Sequence, residues 1–269
     1  MSFKLQKGVN VCSNAEYHSD REYLSSSKLK LLLKDPADFY RQHIQGNSVQ
    51  LAGAHLDEGT AIHTALLEPE LFESEIAVFS GWRKQGDAYE QFCADNSDKL
   101  ILSTPQKHRV DVAVKAAQRR PELLELLKGG LPEHTCATEL LGVPVKARAD
   151  YINIDKGYIL DLKTTRHPAG SDLFKLTVAE YYYQLSAALY CQVMYDQYRK
   201  LFDFYFGVYS KTDEQWDVYK ASSDTLVQGH AMTNKALITY KKCRETGIWA
   251  VDALQKSALE FSEYEILEV

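Results

Sequence analysis

The sequence has few cysteines and no long apolar run. Its 269 residues include five cysteines, which are scattered along the chain and form no C-x-x-C pair. This argues against a zinc ribbon, an iron–sulfur cluster and a disulfide framework, and unpaired thiols are typical of the reducing cytoplasm. The apolar runs are too short to span a bilayer, and residues 1–10 lack the charged-then-apolar pattern of a signal peptide. We therefore expect a cytoplasmic protein without a membrane partner.

An excess of positive charge is also absent. The formal net charge is −6, with 31 Lys and Arg residues against 37 Asp and Glu residues. Such a balance disfavours a protein that coats nucleic acid by bulk charge. It is compatible with an enzyme that grips DNA in a local basic groove. The composition, 45% hydrophobic and 25% charged, is typical of a globular domain and not of a disordered chain.

The order of predicted elements indicates an α/β protein with one main domain. Residues 1–22 have little periodicity and are interpreted as a polar lead-in, and residues 23–269 as a single domain. Its first half, to about residue 130, is predicted to be helical. The range 133–220 is predicted to form a central mixed sheet of about five strands flanked by helices. An amphipathic C-terminal helix is expected over residues 223–246.

Two aspartates are predicted to meet across a β-hairpin. A turn at Asp155-Lys156 places Asp150 opposite Asp161 on neighbouring strands. Because side chains alternate faces along a strand, Lys163 lies beside Asp161 and Arg148 beside Asp150. Two adjacent carboxylates repel each other, and a hard cation such as Mg²⁺, which takes oxygen ligands, removes that repulsion. A lysine next to the metal can then orient or deprotonate a water molecule.

A solvated sheet face with alternating acids and bases is the alternative interpretation of this hairpin. The residues around Asp161 read Tyr-Ile-Leu-Asp-Leu-Lys, with large apolar side chains on both sides of the acid. Such a strand is typical of the buried centre of a sheet, where a carboxylate needs a partner. The sequence therefore favours a metal site over a solvated face.

The hairpin and two further motifs resemble a known nuclease superfamily. Asp150 followed by Asp161-Leu162-Lys163 matches the D…(D/E)-x-K signature of the restriction-endonuclease-like, PD-(D/E)xK superfamily. Gly59-Thr-Ala-Ile-His63 looks like the G-x-x-x-H motif of its RecB-like branch. Gln184 and Tyr190, on a helix predicted over residues 178–198, look like the glutamine–tyrosine helix motif of that branch. Between residues 17 and 195 the chain most resembles the RecE-like (exonuclease VIII-like) nuclease domains.

This resemblance implies a restriction-endonuclease-like core and a catalytic Mg²⁺, for which Mn²⁺ can substitute. Its ligands would be His63, Asp150, Asp161 and the main-chain carbonyl of Leu162. Lys163 would position or activate the attacking water. The residues expected to contact DNA or orient the site are Gln184, Arg148, Lys28 and Tyr190.

The family also places a glutamate on the first strand of the sheet, and two residues compete for this position. If the first turn is centred near Leu140-Leu141, Glu133 pairs with Arg148 and faces the site, whereas Glu139 falls in the turn. Glu133 is therefore preferred as the additional catalytic acid. Gly59 lies one helical turn before His63, and a small residue there would allow close packing of the helix backbone.

The activity implied by the resemblance is an Mg²⁺-dependent exodeoxyribonuclease that degrades linear double-stranded DNA from 5′ to 3′ in phage-type recombination. A homo-oligomeric ring around DNA and a single-strand annealing protein are the implied partners. Lys28, Lys30, Lys34 and the basic stretch 107–120 are candidates to line the ring, and the run Tyr181–Tyr183 is interpreted as packing.

Two alternatives remain open. One is a single-strand- or structure-specific RecB/Cas4-like nuclease, although the C-x(2)-C-x(5)-C type tail of cluster-binding relatives is absent. The other is a catalytically inactive DNA-binding subunit. All of the acids and the lysine are present, so the sequence gives no sign of lost catalysis.

Overall fold

A mixed six-stranded sheet organises the protein in a computed structural model that describes residues 4–47, 54–81, 84–170 and 172–249. The strands are β1 (Gly8–Asn10), β2 (Ile76–Phe79), β3 (Leu100–Ser103), β4 (Leu131–Leu140), β5 (Val143–Asn153), β6 (Tyr158–Thr165), β7 (Asp203–Ser210) and β8 (Gln215–Lys220). The helices are α1 (Asn14–Ser19), α2 (Ser26–Lys34), α3 (Pro36–Phe39), α4 (Ala54–Leu67), α5 (Phe72–Glu75), α6 (Asp87–Asp95), α7 (Thr104–Ala117), α8 (Pro121–Leu126), α9 (Leu173–Glu180), α10 (Tyr183–Tyr198) and α11 (Ser223–Thr246). A π-helical turn covers Tyr40–Ile44 and a 3₁₀ turn covers Pro69–Leu71.

The main sheet has the strand order β1-β4-β5-β6-β7-β8. Only β6 and β7 pair in parallel, and the other neighbouring strands are antiparallel. The predicted α/β class with a central mixed sheet is confirmed, and β1 adds an edge strand to the five that were expected. β2 and β3 form a separate two-stranded parallel sheet within the helical first half.

Helices cover both faces of the main sheet because β6 is apolar on both sides. Ile159 of β6 belongs to a buried cluster that includes residues from α2, α10 and α11. Leu160 and Leu162 belong to a second cluster with residues from α4, α7 and α8. The alternation of side chains places Asp161 and Lys163 on the Ile159 side, facing α2 and α10. An acid in the middle of this strand is therefore buried between the sheet and two helices.

Residues 4–22, expected as a polar lead-in, are instead part of the domain. β1 pairs with β4, and Tyr17 and Asp20 are buried. The amine of Lys146, buried on β5, lies 3.4 Å from the Asp20 carboxylate and donates to the Asp20 carbonyl at 3.1 Å. A buried ion pair and a short edge strand leave little hydrophobic periodicity. This explains why the pattern of apolar residues did not predict the packing.

The C-terminal helix spans Ser223–Thr246, as predicted, whereas the helix expected over residues 178–198 is interrupted. Tyr182 adopts a left-handed backbone conformation, with φ 52° and ψ 44°, between α9 and α10. No glycine or proline marks this break in the sequence, so periodicity alone predicted a continuous helix. Within the residues that the structure describes, no helix has the length and apolar character needed to cross a membrane.

Candidate metal centre

Three potential metal ligands converge from different elements of the fold. One ligand atom each from His63 on α4, Glu133 on β4 and Asp150 on β5 lie within 4.8 Å of one another. The Nδ1 atom of His63 is 3.6 Å from the Oδ2 atom of Asp150. An imidazole and two carboxylates at this spacing form a donor set that a divalent cation can use.

The β5–β6 hairpin has the predicted register. Asn153 pairs with Tyr158 and Tyr151 with Leu160, so Asp150 and Asp161 are level on neighbouring strands. The ladder of backbone hydrogen bonds ends at this point, and the Leu162 amide donates instead to the Asp150 carboxylate at 2.7 Å. The two strands therefore separate where the acids lie, and one oxygen of Asp150 ties them together.

Asp161 forms a second centre beside the first, with Lys163 as its partner. Its side chain is only 4% exposed, and its Oδ2 atom lies 2.5 Å from the Lys163 amine. The same amine donates to the main-chain carbonyl of Leu162 at 3.0 Å. Both oxygens were expected from the family resemblance to be metal ligands. The lysine ammonium thus lies against both oxygens, so these oxygens already face a positive charge.

The buried acids affect one another's protonation. Burial raises the pKa of Asp161, and the nearby Asp150 charge adds to that effect against the opposing influence of Lys163. Burial and Asp150 also raise the pKa of Glu133. Burial alone would lower the pKa of Lys163, but Asp161 and Asp150 outweigh it and raise that pKa, so Lys163 is an ammonium at neutral pH. The clustered acids accordingly favour a cation or a proton among them.

Glu133 faces the site, but not through the register predicted for it. The β4–β5 turn lies at Leu141–Gly142, because Leu140 pairs with Val143 and Thr135 with Arg148. Glu133 is therefore level with Asp150, two residues from the expected pairing with Arg148. Glu139 pairs with Pro144 at the exposed end of the hairpin, away from the group around Asp150.

The backbone and a neighbouring arginine both position Glu133. Its φ of 48° lies in the left-handed region, an uncommon conformation that costs a residue with a side chain of order 1–3 kcal/mol. Arg148 donates to its carboxylate at 2.5 Å and also donates to the carbonyl of Cys12 at 3.0 Å. Arg148 is thus held by Glu133 and by the N-terminal segment.

A cleft of about 480 Å³ opens onto His63, Glu133 and Asp150. Cys12, Tyr17 and His18, from the segment expected to be a lead-in, form part of its wall. Sequence reasoning missed these residues because the segment has no motif and little periodicity.

Gly59 does not have the packing role expected of it. A Cβ atom at this position would meet nothing within 4 Å. The helix backbone therefore does not need a glycine there to approach its neighbours.

The four residues expected to contact DNA lie in different places. Tyr190 and Arg148 line the cleft. Gln184 instead lines a separate apolar groove with Phe174 and Phe206, and its Oε1 atom is buried without a hydrogen bond. Lys28 donates to the carbonyls of Asp20 and Tyr23 in a neighbouring pocket. The structure therefore brings two of the four to the cleft that opens onto His63, Glu133 and Asp150.

The comparisons with known proteins agree on a fold. A family model described as "PDDEXK-like domain of unknown function (DUF3799)" matches residues 25–256. A crystal structure from Eubacterium rectale, of a protein named "Putative exonuclease", is similar over 87% of this chain and 88% of its own, with 16% identity and a TM-score of 0.63. A second structure, of SSO0001, is 15% identical over 49% of this chain and 67% of its own, and its TM-score of 0.29 carries no weight. No curated protein matches the sequence at a significant level.

Proposed function

The chain belongs to the PDDEXK-like domain family, and from this premise we propose that it is an Mg²⁺-dependent exodeoxyribonuclease acting on linear double-stranded DNA. The observation that carries the proposal is the juxtaposition of His63, Glu133 and Asp150 with the buried Asp161–Lys163 pair at the open end of one hairpin. Within the described residues, Lys163 pairs with Asp161 and Arg148 with Glu133, so the three clustered carboxylates still have an excess of negative charge that an added cation would balance.

The residues present fit a hard divalent cation. Asp150, Asp161, His63 and the Leu162 carbonyl would hold Mg²⁺ or Mn²⁺, with Glu133 close to the same group. When bound, the cation would polarise the scissile phosphate and lower the pKa of a water molecule. Holding it requires Lys163 to move away from Asp161 and the Leu162 carbonyl, to which it is now bound.

Lys163 would then position the reacting groups: its ammonium, no longer held by Asp161, can donate hydrogen bonds to a phosphate oxygen or to the attacking water. Arg148 orients Glu133 through their ion pair, since the guanidinium is itself fixed by the Cys12 carbonyl. The protein thereby supplies a pre-arranged set of charges around the reacting phosphate.

The finer parts of the proposal come from the resemblance to RecE-like nucleases. We infer 5′-to-3′ digestion of DNA ends in phage-type recombination, with a single-strand annealing protein as partner. A homo-oligomeric ring would retain DNA despite the net charge of −6, because topology does not depend on bulk attraction. The name of the Eubacterium rectale protein, "Putative exonuclease", supports the activity without specifying substrate or polarity.

A gel assay on end-labelled DNA tests this function. Linear duplex labelled at the 5′ end, the same duplex labelled at the 3′ end, a single strand and closed circular duplex are incubated with Mg²⁺ or with EDTA. We expect immediate release of the 5′ label, delayed loss of the 3′ label, intact circles and no reaction in EDTA. Preferred digestion of the single strand would indicate the RecB/Cas4-like alternative. DNA retained on the protein without cleavage would indicate an inactive binding subunit.

A further inference from the structure

A column of stacked aromatic rings leads from the core to the surface beside Lys163. The ring centroids of Phe206 and Tyr183 are 6.2 Å apart with an interplanar angle of 29°. Those of Tyr183 and Tyr181 are 5.8 Å apart at 27°. Phe206 is buried, whereas Tyr181 is 50% exposed. The column therefore ends in a tyrosine that is half open to solvent.

The break between α9 and α10 creates this column. In a continuous helix, residues two apart point about 200° away from each other and cannot stack. The left-handed conformation of Tyr182 ends that regular spacing and allows Tyr181 and Tyr183 to lie together. A residue with a Cβ atom adopts this conformation at a cost, so the surrounding contacts must hold Tyr182 in it. Core packing alone would not require the outermost ring to be half exposed.

Positive charge surrounds the tyrosine run. The amines of Lys30 and Lys163 lie 4.9 Å and 5.5 Å from the ring centroid of Tyr183. Lys34, one turn after Lys30 on α2, lies 5.0 Å from the ring centroid of Tyr182. A protonated lysine at this distance is attracted by the ring electrons. Burial and the neighbouring Lys163 lower the pKa of Lys30 to about 7, so the positive field at this place comes mainly from Lys163 and Lys34.

A cleft of about 440 Å³ lies at the same place, at the end of β6. Tyr181 and Tyr183 form its aromatic wall. Arg166, His167 and Lys211 line it as well, together with one acid, Glu180. A basic groove that carries an exposed aromatic ring has the chemistry that binds single-stranded nucleic acid, where bases stack on the ring and phosphates meet the cations.

Resting on the proposed nuclease function, we propose that Tyr181 is a stacking platform for an unpaired nucleobase of the strand being cleaved. The phosphate of that strand would lie at Asp161 and Lys163, and the adjoining phosphates would face Arg166 and Lys211. Bases inside a duplex already stack on both faces, so this ring can receive only a base that has left the helix. The duplex end is therefore separated next to the metal centre, and the tyrosine run has a binding role in addition to packing.

The test measures DNA affinity separately from cleavage. Fluorescence anisotropy with a labelled single-stranded oligonucleotide and with a blunt duplex is recorded in Ca²⁺, which occupies oxygen-ligand sites, after controls show that no cleavage occurs. We expect Tyr181→Ala to raise the Kd for the single strand about tenfold, which is the size of one lost base–aromatic stack. Tyr181→Phe keeps the ring and should bind within about twofold of the wild type. Tyr195→Ala is the matched control, because Tyr195 is 45% exposed near the far end of α10.

An oligonucleotide with one abasic position identifies the stacked base. When the base that stacks on Tyr181 is missing, the affinity of the wild type should fall by the same factor as the Tyr181→Ala substitution causes with the intact oligonucleotide. Tyr181→Ala should bind the intact and the abasic oligonucleotide equally, since the stacking interaction is already absent. Thermal unfolding checks that each variant is folded. Equal affinity of Tyr181→Ala and wild type, in a protein that cleaves DNA, would overturn the platform. A wild type that neither binds nor cleaves DNA would overturn the proposed nuclease function itself.

Discussion

Replacement of Lys163 by methionine should leave the buried Asp161 carboxylate without its positive partner. Methionine keeps much of the side-chain volume but removes the charge that compensates Asp161, which is 3% exposed. The Asp161 carboxylate would then be buried beside Asp150 with no cation 2.5 Å away. We expect the variant to be less stable than the wild type in the absence of metal and to lose cleavage.

The size of the destabilisation follows from the burial of the pair. Removing one member of a buried ion pair costs about 3–5 kcal/mol. The Lys163 side chain is 22% exposed, so solvent screens part of that loss, and we expect about 2–3 kcal/mol in the free energy of unfolding. In a chain of this length, that corresponds to a fall in Tm of about 4–12 °C. The exposed Lys175–Asp172 pair is the control, because Lys175→Met removes a charge that is 79% exposed and should change Tm little.

The loss of stability in Lys163→Met should increase as the pH rises. Burial already raises the pKa of Asp161 in the wild type, and removal of Lys163 raises it further. A group whose pKa is higher in the folded state stabilises that state at low pH and loses this contribution as pH rises through the folded value. The difference in free energy of unfolding between the wild type and Lys163→Met should therefore be small near pH 4, about the pKa of an unperturbed aspartate. It should grow toward neutral pH.

Thermal and urea unfolding, with and without millimolar Mg²⁺, measure these effects. Because Mg²⁺ would replace the missing positive charge, it should stabilise Lys163→Met more than it stabilises the wild type. The double variant Asp161→Asn/Lys163→Met should recover part of the lost stability, since neither charge remains. A Lys163→Met variant as stable as the wild type at neutral pH, with no response to Mg²⁺, would show that Lys163 does not compensate a buried Asp161 charge.

Three other positions have expected outcomes. His63→Ala should weaken Mn²⁺ binding in calorimetry about tenfold or more, since loss of even a residue that only supports a metal ligand costs about 10–100-fold in metal affinity. His43→Ala is the control and should bind Mn²⁺ like the wild type. Equal Mn²⁺ affinities of His63→Ala and the wild type would show that His63 is not a ligand. Gly229→Ala should cost about 1–3 kcal/mol in urea unfolding, because its Cβ would overlap the Gln184 carbonyl of α10; an unchanged midpoint would show that α10 and α11 separate freely. Lys146→Met should increase proteolysis within residues 4–22, since it leaves a buried carboxylate unpaired; unaltered resistance would show that other contacts hold the segment.

The hairpin that bears both aspartates was predictable because two local signals agree on it. The turn residues around Asp155-Lys156 and the alternation of side chains define the same register, so Asp150 and Asp161 had to be level. The C-terminal helix was predictable from its amphipathic pattern, and the structure adds Ser222 as its N-cap and Gly247 as its C-cap.

Turns and contacts that depend on strained residues or on distant parts of the chain could not be predicted from local sequence patterns. The β4–β5 turn places Leu141, with φ 51°, in the left-handed region next to Gly142. Leucine gives no signal for such a turn, and the predicted pairing of Glu133 was therefore displaced. The break at Tyr182 likewise follows no glycine or proline. The contacts of Lys163 with Asp161 and the Leu162 carbonyl are electrostatic, and only the assembled site shows them.

Mn²⁺ binding in crystals tests whether His63, Asp150 and Asp161 together form a metal site. Anomalous diffraction from crystals soaked in Mn²⁺ should show a peak in the cleft, with an imidazole nitrogen of His63 and carboxylate oxygens of Asp150 and Asp161 about 2.0–2.4 Å from the ion. Lys163 should have moved off Asp161 in that structure. A cleft without a peak at saturating Mn²⁺, or an ion bound elsewhere while these side chains keep their present contacts, would contradict the assignment of this site as a metal-dependent nuclease centre.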